Sequence, residues 1–283
     1  MKVLILGANG MIGRTMFKVL ADHPDWKVIG SIRATKYDFQ SPGPVYGGSD
    51  LTNSDHLRSL FHKANPDVVV NCAGLTKHVS IGNDPIRALT MNALLPNRLV
   101  ELCGLTGARL IHVSTDCIFS GRKGNYIESD QADATDLYGK TKALGEVIGE
   151  NVITLRTSTI GPEHETKFGL LEWFLAQQEC KGFRHAIFSG LPTVEFARVV
   201  RDLVIPNTFL SGIYHVGASA IDKLSLLQLI NKVYQRNINI FPEEAFYIDR
   251  SLNCNKFADA TGYSAASWPE LIDAMYQDHL FRK

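Results

Sequence analysis

The feature that most constrains this chain lies in its first twenty residues. An apolar segment, Lys2–Leu6, runs straight into Gly7-Ala8-Asn9-Gly10-Met11-Ile12-Gly13, and Ile12, Met16, Val19 and Leu20 then form one apolar stripe at helical spacing. A strand that enters a helix through so many glycines lets backbone N–H groups approach a bound pyrophosphate, and the positive end of the helix dipole adds to the attraction. The spacing is GxxGxxG rather than GxGxxG, which leaves a merely tight turn as the alternative. The strand before and the helix after nevertheless give the context that a dinucleotide-binding turn requires. Gly7, Asn9, Gly10, Met11, Ile12 and Gly13 are the first candidate cofactor contacts.

The rest of the chain repeats this alternation. Short apolar runs at Lys27–Ser31, Val45–Gly47, Asp67–Asn71, Arg109–Ser114, Val152–Arg156 and Ile213–Val216 read as strands. Helices are expected over Pro85–Leu102 with a kink at Pro96, over Tyr138–Ile148, and around Leu226, Leu227, Ile230, Val233 and Tyr234. Seven strands separated mostly by helices predict an α/β fold, a doubly wound parallel sheet of the Rossmann kind. The regularity weakens after Arg156. Gly161–Arg184 carries loop signals and the helix-like LLEWFLAQQ, where Trp173 and Phe174 read as a hydrophobic contact rather than a base-stacking pair. The last fifty residues are an aromatic-rich mixture around Pro242, Tyr263 and Trp268. The expected division is a dinucleotide-binding domain of residues 1–156 plus about 186–235, with a small discontinuous substrate lobe of about 157–185 plus 236–283. Decoration of a single domain is the alternative.

Composition removes several functions. The 283 residues are 45% apolar, enough for a substantial core, and 29 basic side chains balance 29 acidic ones. That balance argues against nucleic acid as a partner, and no run of about 18 apolar residues exists to span a membrane. The polar glycine stretch at Gly7 does not read as an export signal. The five cysteines (Cys72, Cys103, Cys117, Cys180, Cys254) form no CxxC pair, so free thiols in a reducing, cytoplasmic setting are expected. The nine histidines lack metal-ligand spacing, and His164-Glu165 has no second histidine three residues on. No metal site is expected. Asp130, Asp133 and Asp136 read as a solvated loop with an N-cap contribution. Neither GxSxG nor GxxxxGK[ST] occurs.

The second strand ends in Gly30-Ser31-Ile32-Arg33. An acid at this place binds the 2′-hydroxyl of NAD, whereas an arginine accommodates the 2′-phosphate of NADP. Arg33, helped by Ser31 and Arg14, therefore favours NADP(H). NAD(H) stays open, because Arg33 also reads as a plain surface charge. Asp50-Leu51 offers an acceptor for the adenine amino group, and Cys72-Ala73-Gly74 are small enough to let backbone pass close to a cofactor. Of the nine tyrosines only Tyr138 has a lysine four residues later, Lys142, on the same helix face. A phenol titrates near pH 10 in water, about three units too high for an efficient donor, and a neighbouring ammonium lowers it. Upstream, Ser114-Thr115-Asp116 closes the fifth expected strand, where a hydroxyl can hydrogen-bond a substrate carbonyl.

GANGMIG, Asn71-Cys72-Ala73-Gly74, Met91-Asn92-Ala93, STDCIFSG (Ser114–Gly121) and YGKTKALGE (Tyr138–Glu146), in this order, resemble the extended short-chain dehydrogenase/reductase superfamily. More narrowly they resemble the dTDP-4-dehydrorhamnose reductases and related sugar-nucleotide 4-keto reductases. The likeness covers about residues 1–160 and continues faintly through Leu191-Pro192-Thr193 and Ser251-Leu252-Asn253-Cys254. It implies a catalytic set of Thr115, Tyr138 and Lys142. Tyr138 would protonate the carbonyl oxygen as the nicotinamide delivers hydride to carbon, Lys142 would also bind the nicotinamide ribose, and Thr115 would orient the carbonyl. Asn92 matches a supporting asparagine and joins Tyr138 and Lys142 among the cofactor contacts. Thr76, Thr115, Phe119, Ser158 and Thr159 become the substrate-facing residues, while Lys77 and His78 could face substrate phosphates or solvent. The chain departs from the pattern at Ser158-Thr159, where an aromatic is common, and at Cys117, where a tyrosine is usual. Both put the rhamnose precursor itself in doubt. Dehydratases of this fold carry Asp-Glu after the threonine, so Asp116-Cys117 fits plain reduction better than elimination.

The resemblance thus implies NADPH-dependent reduction of a nucleotide-linked 4-keto-6-deoxyhexose, for polysaccharide or glycan synthesis, with the nucleotide sugar as partner and a homodimer left open. The alternatives are an NAD-dependent sugar-nucleotide epimerase and a noncatalytic NADP-binding regulatory subunit.

Overall fold

The computed structural model describes residues 1–37, 40–76, 84–163 and 168–280. The chain begins β1 (Lys2–Leu6), α1 (Met11–Ala21), β2 (Lys27–Ser31), β3 (Val45–Tyr46), α2 (Ser54–Ala64) and β4 (Val68–Asn71). It continues with α3 (Pro85–Leu89), a π turn at Thr90–Leu94, α4 (Leu95–Thr106), β5 (Arg109–Thr115) and α5 (Leu137–Leu144). Then come β6 (Val152–Thr157), β7 (Thr159–Ile160), α6 (Leu170–Leu175), β8 (Glu179–Phe188), β9 (Leu191–Pro192) and α7 (Thr193–Val199). The last elements are β10 (Gly212–His215), β11 (Ile221–Asp222), α8 (Lys223–Val233), β12 (Asn239–Asp249), α9 (Asn255–Thr261) and α10 (Trp268–Leu280).

Seven strands form one parallel sheet in the order β3-β2-β1-β4-β5-β6-β10. These are the seven strands read from the apolar runs. Their residues alternate between two cores. Val3, Ile5, Val70 and Ile111 pack with α1, α7, α8 and α10, while Leu4, Leu6, Val69 and Leu110 pack with α2 and α4. Both faces are therefore covered, as a parallel sheet requires. The order reverses between β1 and β4, so the loops after these strands part and leave a crevice at their carboxyl ends.

The long helix expected after β4 carries a π turn just ahead of Pro96. Pro96 carries no N–H, and the turn before it widens so that the Leu95 N–H donates to the Thr90 carbonyl five residues back. The Asn92 carbonyl loses its donor four residues on and lies against Gly145, where a Cβ would stand 1.7 Å from that oxygen. Only glycine fits there. The widened turn thereby brings the end of α5 against Asn92.

Beyond the main sheet, β8 lies between β11 and β12 in a smaller sheet, pairing antiparallel with β11 and parallel with β12. Phe174 of α6 is fully buried and Trp173 is 40% exposed. Helix α10, from the segment assigned to the substrate lobe, packs on α7 and α8, and Lys18 of α1 meets Asp278 at 3.2 Å. Among the described residues no helix is long and apolar enough to cross a membrane.

Candidate active site

The crevice is a cleft of about 580 Å³ whose walls come from the ends of β1, β2 and β4 and from the helix after β4. Gly7, Asn9, Gly10, Ser31, Arg33, Asp50, Leu51, Cys72, Ala73 and Gly74, all proposed from sequence, line it. Met11, Ile12 and Gly13 lie in the first turn of α1 and are not among the residues that line the cleft. Gly13 serves packing there, because a Cβ on it would come within 2.1 Å of the Gly7 carbonyl oxygen. Two features suit an anionic dinucleotide. The Ser31 hydroxyl is buried and has no hydrogen-bond partner among the described residues. Arg33 stands at the rim beside Asp50, whose carboxyl is held below its usual range mainly by hydrogen bonds from the Thr52 hydroxyl and N–H, at 2.7 and 2.9 Å. The sequence reading missed Arg87, Thr90 and Met91 of the same lining. Their helical spacing puts them on one face, so extending the quoted Met91-Asn92-Ala93 motif back one turn would have found Arg87.

Asn92 does not reach the cleft wall. Its buried amide accepts from the Leu75 N–H at 2.8 Å and donates to the Leu75 carbonyl at 2.9 Å and the Thr141 hydroxyl at 3.1 Å. The amide is used up in clamping the loop after β4 to α5, which makes Asn92 a positioning residue.

The proposed catalytic groups converge next to this cleft. Thr115 ends β5, and its Oγ1 accepts from the Cys117 N–H at 3.1 Å and pairs with Asp116 Oδ1 at 3.1 Å. Tyr138 lies in the first turn of α5, capped by Asp136, whose Oδ1 accepts from Gly139 N at 3.0 Å. Burial pushes the Tyr138 phenol above its ordinary value, the neighbouring acidic groups Cys117, Asp116 and Asp136 work in the same direction, and the Thr115 side chain opposes them. The expected lowering by Lys142 is not what the structure shows. The Lys142 ammonium is 5% exposed and donates to the Val113 carbonyl at 2.7 Å. Burial lowers its pKa to about 8, against the pull of Glu146 and Cys72. Tyr138 is thus a neutral phenol near pH 7, and Lys142, beside Cys72 on the cleft wall, keeps donors to spare.

Phe119 is not available to a substrate. It is fully buried, stacked on Tyr126 at 4.0 Å with the Arg156 guanidinium 5.3 Å from its ring centre, and only its carbonyl reaches outward, to Arg250 Nε at 2.8 Å. Thr76 is exposed after β4. Ser158 and Thr159 follow the carboxyl end of β6, with Thr159 opposite Leu191 of β9. Lys77, His78, His164 and Glu165 lie outside the described residues. Asp130 and Asp133 are occupied locally, by Lys123 and Ser120.

The family model described as the RmlD substrate binding domain matches residues 1–280. The chain belongs to that family. It is 31% identical to methionine adenosyltransferase 2 subunit beta of Rattus norvegicus over 145 residues, 51% of this chain and 41% of that one. It is 35% identical to dTDP-4-dehydrorhamnose reductase of Mycolicibacterium smegmatis over 147 residues, 51% of this chain and 40% of that one. The chain thus spans about four-tenths of the length of these relatives. The crystal structure of dTDP-4-dehydrorhamnose reductase from Bacillus anthracis in complex with NADP superposes with a TM-score of 0.81 at 20% identity, covering 98% of this chain and 99% of that one. The superposition bears out the doubly wound fold, and the family match bears out the resemblance to the extended short-chain dehydrogenase/reductases.

Proposed function

We propose that this RmlD-family protein uses NADPH to reduce the 4-keto group of a nucleotide-linked 6-deoxyhexose. The observation that carries the reading is the neutral Tyr138 phenol beside Thr115, with Lys142 buried next to the dinucleotide cleft. NADPH, when bound, supplies the hydride. The glycine turn would hold its pyrophosphate, Ser31 and Arg33 its 2′-phosphate, and Lys142 its nicotinamide ribose. Tyr138 gives its proton to the carbonyl oxygen, and the Thr115 hydroxyl orients that oxygen. Thr76, Ser158 and Thr159 would face the sugar, and β8, β11 and β12 would form the lobe that holds the nucleotide. The decisive assay mixes the protein with NADPH and dTDP-4-dehydrorhamnose, then with UDP- and GDP-linked 4-keto-6-deoxyhexoses. Sugar-dependent loss of absorbance at the NADPH band is expected, and no turnover with any of the three would reject the reading.

Cofactor choice has its own test. Arg33→Ala is expected to weaken NADPH binding by about ten- to a hundredfold, the worth of a charge-assisted phosphate contact, while NADH binding changes little. Calorimetric titration of both nucleotides measures this, and equal losses would remove Arg33 from the phosphate site.

The match to methionine adenosyltransferase 2 subunit beta favours a second reading, a subunit of a larger assembly. The assembled Thr115, Tyr138 and Lys142 weigh against a purely structural subunit. Copurification of a different protein, with no reduction of a keto sugar, would favour it.

A further inference from the structure

Asp116 lies directly behind the Thr115–Tyr138 pair and has no place in the chemistry described so far. It is 8% exposed, and its Oδ1 is 3.1 Å from Thr115 Oγ1. A hydroxyl has one proton to donate and two lone pairs to accept with. One lone pair of Thr115 is already taken by the Cys117 N–H. If Asp116 were ionised, the single Thr115 proton would go to the carboxylate, and nothing would remain for a phenol or a carbonyl. If Asp116 is protonated, its O–H fills the second lone pair of Thr115 and forces the Thr115 proton outward.

We propose that Asp116 acts as a protonated positioning residue: its O–H fills the second lone pair of Thr115, so that the Thr115 O–H points, with the Tyr138 O–H, at the substrate carbonyl oxygen. This rests on the reductase reading. As hydride reaches carbon, the Tyr138 O–H bond breaks and its proton forms the new hydroxyl, while the Thr115 proton stays on Thr115 and keeps its hydrogen bond to that oxygen. Solvent then returns a proton to Tyr138, and Asp116 ends as it began.

The surroundings of the carboxyl support this state. Burial raises its pKa, and the opposing pulls come from Arg250, the Thr115 and Cys117 side chains and Lys223. Both cations have other engagements: Arg250 donates to the Phe119 carbonyl and to Cys117 Sγ at 3.8 Å, and the Lys223 ammonium lies 5.0 Å over the Phe188 ring. Tyr138 faces Asp116 as a neutral group, and Asp136 lies beyond Tyr138 at the helix cap.

The sign of the pH dependence follows. Activity should be full below the Asp116 pKa and fall about tenfold per pH unit above it, as the Thr115 proton swings to the carboxylate. Asp116→Asn mimics the protonated acid, since its amide donates to Thr115 at every pH. The first measurement needs no substrate: carbon-13 NMR titration of aspartate-labelled protein, with Asp116→Asn assigning the signal. A carboxyl titrating above the ordinary carboxylate range is expected, and one titrating within it would overturn the proposal. The second is the pH profile of kcat with NADPH and dTDP-4-dehydrorhamnose. Asp116→Asn should keep the low-pH kcat and flatten the high-pH fall to less than about twofold. Persistence of the fall in Asp116→Asn would overturn the proposal too. A raised titration without turnover upholds the hydrogen-bond assignment and counts only against the reductase reading.

Discussion

Tyr138→Phe should lower kcat by about 10²–10⁴-fold, the usual contribution of a positioned proton donor, with NADPH affinity within about twofold of the parent protein. The change removes one oxygen and leaves the ring that packs in the first turn of α5. Its cost to stability should not exceed that of one hydrogen bond, about 1 kcal/mol. The helix does not depend on the phenol, because Asp136 caps it and Gly145 and Glu146 dock its far end. Circular dichroism, NADPH titration and turnover on the same sample separate loss of chemistry from loss of fold. Unchanged turnover would show that the proton comes from elsewhere.

Glu146→Ala should destabilise the protein by about 3–5 kcal/mol, the cost of leaving a buried charge without its partner. Glu146 and Arg156 form a two-pronged pair, Nε to Oε1 at 2.9 Å and Nη2 to Oε2 at 2.8 Å, with side chains 7% and 5% exposed. The Ser114 hydroxyl donates to Oε1 at 2.7 Å, and Arg156 Nη1 donates to the Glu128 carbonyl at 3.1 Å. The pair thus joins β5, β6 and the end of α5, the elements that carry Thr115, Tyr138 and Lys142. Removing the carboxylate strands the guanidinium in the interior. Replacing both residues, as in Glu146→Leu with Arg156→Met, should cost much less than either single change, because no charge is then left unpaired. Equilibrium denaturation of the two single variants and the double variant measures the coupling. Additive losses would mean that the pair acts only through packing.

The parallel sheet was readable because its strands are covered on both faces and so appear as unbroken apolar runs. The 3.6-residue period that marked α1 is equally present in α2, where Leu57, Leu60, Phe61 and Ala64 are buried and Asn53 caps the first turn. Strands β8 and β12 were not readable in this way. They are half-exposed and carry Lys181, Arg184, Glu243 and Glu244. Their partnership joins segments some sixty residues apart, and no local pattern records it.

The letters alone determined the glycine turn, the seven strands of the parallel sheet, and the presence of a threonine, a tyrosine and a lysine at spacings that suit a reductase. Such features depend on neighbours within a few residues, whose geometry the backbone transmits directly. Only the folded chain decided which of these groups are charged and which way their protons point. Lys142 is turned to the Val113 carbonyl, Asn92 is spent on a clamp, Phe119 is sealed into a core, and Asp116 is buried behind Thr115. Burial and hydrogen-bond partners come from elements distant in sequence, and the energy of a charge is set by what surrounds it in space.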